Sequence, residues 1–144
     1  MLRTPLLHPE ILRALAAAGH GSRVLIADGN YPLSTATPAT ASRVYLNLRP
    51  GCVTLTEVLA TLTTVLPIES ALGMQTRDGL AAPIHGEFAQ LLGPGVTLTF
   101  KPRHDFYTEA RSVDTALAIA TGEQRRFANL LLTIGVVRLP DDHS

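Results

Sequence analysis

Val24, Leu25, Ile26 and Ala27 follow one another without a polar residue and stop abruptly at Asp28-Gly29-Asn30. A strand with one wet face alternates apolar and polar side chains, so a short unbroken apolar run ended by turn formers predicts a strand covered on both faces. Two later segments, 116–120 and 130–137, read the same way. Sheets buried on both sides are covered by helices, which points to a three-layer α/β/α sandwich.

The remaining pattern supplies those helices. At 10–18, Ile11, Leu12, Leu15 and Ala18 recur at helical spacing between Pro9 and Gly19, the usual positions of proline at a helix start and glycine past its end. Thr54 with Glu57 has capping-box spacing, and Leu55, Val58, Leu59, Leu62 and Leu66 continue a helical stripe to Pro67. Further helices are expected at 83–92 and about 105–113, with strands at 44–48, 70–75 and 96–101. The stretch 32–41, rich in Ser, Thr, Ala and Pro, lacks periodicity and reads as a functional loop. The 144 residues are expected to form one domain, with 139–144 as a loose tail.

Composition excludes several function classes. Twelve basic and twelve acidic side chains balance to zero, which removes the broad field that nucleic acid or an anionic membrane would need. No apolar stretch approaches the length of a membrane span, and no signal peptide is evident. Cys52 is the sole cysteine, which suits a reducing, cytoplasmic setting and a buried structural thiol. The histidines lack metal-ligand spacing, and His85 with Glu87 is expected on an exposed helix start. At 46% hydrophobic and only 17% charged, the chain is expected to bury surface against copies of itself.

Three segments carry polar groups suited to a site. His20, just past a helix, and Asp28, at a strand end, can be brought to one edge of a sheet, where open α/β sheets bind ligands. An imidazole there can give a proton near neutral pH and a carboxylate can accept hydroxyl hydrogen bonds; equally, His20 can cap the helix and Asp28 open a turn. Arg103-His104-Asp105-Phe106-Tyr107 follows a strand, as a sheet-edge cluster or a solvated helix start. Asn129 leads into the last apolar run after 121–126, where it could instead end a turn.

Taken together, Gly19-His20-Gly21, 24–28 followed by Asn30-Tyr31-Pro32, 103–107, and 118–123 with Asn129 and Gly135-Val136 resemble the RbsD/FucU family of L-fucose mutarotases and D-ribose pyranases. The likeness spans nearly the whole chain, and Arg103 resembles the fucose mutarotase branch. It implies His20 as proton donor, and Asp28, Arg103, Phe127, Ala128 and Asn129 as sugar-binding residues. It also implies no cofactor, and a homo-oligomeric ring, decamer or pentamer, with sites near subunit boundaries. The family usually carries tyrosine where this chain has Phe127; Tyr107 or Tyr31 would have to supply the missing phenol. The implied function is interconversion of the ring forms of a free monosaccharide, with a noncatalytic sugar-binding protein of uptake or regulation as the alternative.

Overall fold

The computed structural model describes residues 1–142. It contains α1 (Pro9–Ala17), β1 (Arg23–Ala27), β2 (Ser42–Tyr45), α2 (Leu55–Thr63), β3 (Ile68–Met74), α3 (Pro83–Leu92), β4 (Thr97–Lys101), α4 (Arg103–Ala110), β5 (Thr115–Ala120) and β6 (Leu130–Ile134). The six strands form one sheet in the order β2-β5-β1-β6-β3-β4. β1, β2 and β5 pair in parallel, as do β3 and β4, while β6 runs antiparallel between β1 and β3. The C-terminal ends of five strands therefore share one edge with the N-terminal end of β6.

Alternate residues of each central strand enter separate cores. Val24 and Ile26 pack with Leu117, Ile119, Leu130 and Leu132 under α1, α2 and α3. Leu25 and Ala27 face the other way, with Ala118 and Leu131, under Phe106 and Ala110 of α4 and the loop side chains Tyr31, Leu33 and Ala36. The unbroken apolar run of β1 is thus explained by helices on one face and a helix plus a loop on the other. Each fully buried Leu or Ile contributes roughly 1.5–3 kcal/mol. The α/β expectation holds, with unequal layers.

Local differences have local causes. α4 begins at Arg103, earlier than the expected 105, because the Phe106 N–H bonds Pro102 O at 2.9 Å and closes the first turn directly after β4. It stops at Ala110, and Val113 is exposed. β6 ends at Ile134, where the Gly135 N–H turns aside to Pro67 O at 2.6 Å. The capping box of α2 forms as expected, with Thr54 Oγ1 accepting from Glu57 N at 3.3 Å. His85 is 4% exposed and not on the surface. Cys52 is half-buried. Of the expected tail, 139–142 form a turn in which the Asp142 N–H bonds Leu139 O at 3.0 Å, and 143–144 lie outside the described residues. Among the described residues no helix is long and apolar enough to cross a membrane.

Candidate functional site

A cavity of about 620 Å³ opens at the C-terminal strand edge. Four strand ends contribute: Asp28, Asn30 and Tyr31 after β1; Met74 through Arg77 at and after the end of β3; Pro102, Arg103, His104 and Tyr107 after β4; and Arg126, Phe127 and Asn129 before β6. Open α/β sheets bind ligands at such an edge, where connections diverge and leave a crevice.

Asp28 and Asn129 are locked together. The Asp28 backbone N–H donates to Asn129 Oδ1 at 2.7 Å, which leaves the amide nitrogen of Asn129 as the free donor. The Asp28 carboxylate accepts from Asn30 N at 3.0 Å, and the residue is only 5% exposed. Burial raises its pKa above 3.8; backbone N–H groups of Asn30, Tyr31 and Ala128 pull it down in part, and the charge of Glu123 adds to the rise. A buried carboxylate held this way is a stronger base and hydroxyl acceptor than an exposed one.

The aromatic wall resolves which phenol serves the cavity. Tyr31 donates its hydroxyl to Ala36 O at 2.8 Å, and burial holds that phenol far above its ordinary range. Tyr31 is therefore structural: its ring meets Phe106 and Tyr107 edge to face, with centroids 6.2 and 5.2 Å away. Tyr107 lines the cavity with the Arg103 guanidinium 5.9 Å from its ring centre. Phe127 sits at φ 58, a left-handed conformation that costs a side-chain-bearing residue roughly 1–2 kcal/mol. Its ring lines the cavity beneath the Arg126 guanidinium, 5.5 Å away.

Glu123 anchors the loop leading to Phe127. Burial alone would raise its pKa, but the Arg125 side chain and backbone N–H bonds from Arg125 and Leu55 outweigh that and hold it lowered. Its carboxylate accepts from Leu55 N at 3.2 Å at the start of α2 and from Arg125 Nη2 at 3.0 Å. Gly122 lets this loop sit against 46–53: a Cβ there would lie 2.7 Å from Cys52 O.

Of the residues singled out in the sequence, Asp28, Arg103, Tyr107, Phe127 and Asn129 converge on the cavity, and Ala128 is fully buried between the last two. His20 does not join them within one copy. It precedes β1 whereas Asp28 follows it, so the length of that strand, about 17 Å, separates the two residues. This corrects the expectation that they share one sheet edge: Gly21 N bonds Ile134 O at 2.9 Å, fixing His20 beside the C-terminal end of β6. Its imidazole is 58% exposed, with Nε2 3.3 Å from Glu69 Oε2. Thr76, Arg77 and Arg126 also line the cavity and carry no sequence signal beyond their position after β3 or before β6. Among the described residues no group of three or more His, Cys, Asp or Glu is placed to hold a metal ion.

Residues 1–137 match the RbsD / FucU transport protein family. A D-ribose pyranase of Paracidovorax citrulli (strain AAC00-1) is 31% identical over 137 residues, covering 94% of this chain and 98% of that protein. The fucose mutarotase of Danio rerio is 30% identical over 141 residues, covering 91% and 90% respectively. The crystal structure of a fucose mutarotase in complex with L-fucose from Streptococcus pneumoniae superposes with a TM-score of 0.79 at 27% identity, over 96% of this chain and 100% of that one.

Proposed function

The chain belongs to the RbsD / FucU transport protein family, and from that premise we propose that it is a mutarotase that opens and recloses the ring of a free monosaccharide such as L-fucose without a cofactor. The observation that carries this reading is one cavity holding a carboxylate, a guanidinium, a phenol and an amide, from Asp28, Arg103, Tyr107 and Asn129. Such a set offers acceptors and donors to a polyhydroxylated ligand and little grip on an apolar one. The similar proteins named D-ribose pyranase and fucose mutarotase support the same reaction class.

Ring opening needs two proton transfers. A base takes the proton of the anomeric hydroxyl while an acid protonates the ring oxygen, the C1–O bond to the ring breaks, and a free aldehyde forms. Rotation about C1–C2 and reclosure give the other anomer; closure through a different hydroxyl exchanges pyranose and furanose forms. Each positioned acid or base contributes roughly 10²–10⁴-fold. Asp28 is the one acidic side chain lining the cavity and is the base in this scheme. Arg103, Tyr107 and Asn129 hold the remaining hydroxyls, and Phe127 packs against the sugar's apolar face.

His20 is the acid, delivered from a neighbouring copy. Its exposed imidazole at the edge opposite the cavity supports this arrangement. So does the exposure of large apolar side chains such as Leu48 at 79% and Val113 at 82%. Packing one edge of the sheet against the other edge of the next copy is head-to-tail, the kind of contact from which a closed ring is built, here a pentamer or a decamer of two such rings. The protein's place is the cytoplasm, among free sugars released after uptake.

The test is saturation transfer between the anomeric proton signals of L-fucose, D-ribose, D-galactose and L-rhamnose. The protein should accelerate exchange of at least one, and His20→Ala should abolish the acceleration while the chain remains folded. Saturable binding without faster exchange would identify a noncatalytic sugar-binding protein instead.

A further inference from the structure

Resting on the sugar-site reading above, we infer that His85, outside the cavity and unassigned by any motif, is a positioning residue that sets the conformation of Phe127 and through it the sugar-binding wall. The imidazole is 4% exposed and bridges two backbones. Its Nδ1 accepts from Ala82 N at 3.0 Å, so the ring proton resides on Nε2, which donates to Phe127 O at 3.0 Å. Phe100 lies against the ring at 4.5 Å between centroids and Phe88 at 6.0 Å, so it has little freedom to turn.

The bridge supplies something that neither end has alone. Ala82, the N-cap of α3, has no side-chain acceptor for the first-turn N–H groups, and His85 at the third helical position accepts from the cap N–H in place of the usual Glu or Gln. At the other end, Phe127 holds a left-handed φ that only surrounding structure can enforce. Fixing its carbonyl fixes where the ring points into the cavity. Two residues on, the Asn129 side chain grips the Asp28 backbone, so the same carbonyl bears on the orientation of both polar groups. A second tie between α3 and this loop, Glu87 with Arg125, stops short of Phe127. Imidazole is a rigid plate that presents a neutral acceptor and a neutral donor on two sides at once.

His85→Glu separates the two duties. Glutamate at the third helical position accepts from the Ala82 N–H and preserves the cap, but an ionised carboxylate has no proton to give and leaves Phe127 O without its donor. In the sugar-free protein, the backbone amide and Cα signals of Phe127 and the side-chain amide signal of Asn129 should move. In exchange kinetics, KM and the sugar Kd should rise about tenfold, with kcat changing less, because the perturbed wall binds sugar without handling the proton. A helix-capping role alone would move neither the Phe127 signals nor KM. A folded His85→Glu protein with those signals unmoved and KM within about twofold of wild type would overturn the inference. Should the wild-type protein accelerate no anomeric exchange, the mutarotase reading falls while the Phe127 and Asn129 signals still decide the role of His85. Should the variant fail to fold, the wild-type imidazole decides: a slowly exchanging Nε2–H on a neutral ring that shifts on sugar titration supports the bridge, and a rapidly exchanging or Nδ1-protonated ring refutes it.

Discussion

Burial raises the pKa of Asp28 above its ordinary 3.8, so the ionised side chain disfavours the folded state at neutral pH. Because the native value lies above the unfolded one, that penalty is fully present at high pH and fades as pH falls through the raised value toward 3.8. Asp28→Asn should therefore melt at a higher temperature than wild type at about pH 7, with the advantage shrinking toward about pH 4. Its anomeric exchange should fall by roughly 10²-fold or more; a thermal melt across pH and the saturation-transfer assay check the two halves. Phe127→Tyr places a hydroxyl in the cavity beside Arg126 and should lower KM by roughly fivefold, the worth of one net hydrogen bond, read from the same assay. Asp28, Arg103 and Asn129 were legible in the sequence as candidates because each stands at the junction of an apolar run and a turn, and they line one cavity; their sugar contacts were implied by the family resemblance alone. His85 was not legible, since its surroundings in sequence, Pro83 and Gly86, say only that a helix begins there. Its burial comes from Phe100 on β4 and Phe127 before β6, contacts that no local pattern encodes.

The loop 121–129 is the element that turns a sheet into a site. It is tied by Glu123 to the start of α2, by Arg125 to α3, and by Gly122 to the backbone of 46–53. Gly122→Ala should cost about 2–3 kcal/mol, because the Cβ meets backbone atoms that cannot turn aside as a side chain can. Urea denaturation measures the loss, and an unchanged midpoint would show that 46–53 moves freely. Secondary structure was readable where the local signal was strong: the Thr54–Glu57 capping box and the double-sided apolar run of β1 both stand as expected. The start of α4 was misplaced by two residues because the Phe106 N–H to Pro102 O bond uses a proline that reads, from sequence, as a boundary. The antiparallel place of β6 between β1 and β3 was hidden for a different reason: buried parallel and antiparallel strands share the same apolar pattern.

At the scale of the whole molecule, the position of His20 organises the account. A five-residue strand lies between it and Asp28, so one copy cannot bring the proposed acid and the carboxylate to one sugar. Sequence spacing suggested a shared edge because eight residues seem close on paper, whereas an extended strand turns that number into distance. The two halves of the reaction meet only if one copy's β1 start faces the next copy's cavity. Co-assembly of two impaired chains, His20→Ala and Asp28→Asn, tests this directly, because each retains the half that the other lacks. If the copies assemble as proposed, mixed rings carrying distinguishable tags should recover anomeric exchange at roughly a quarter of their sites, those pairing an intact cavity with an intact imidazole. Mixed rings as inactive as either parent would contradict a site completed by the neighbouring copy.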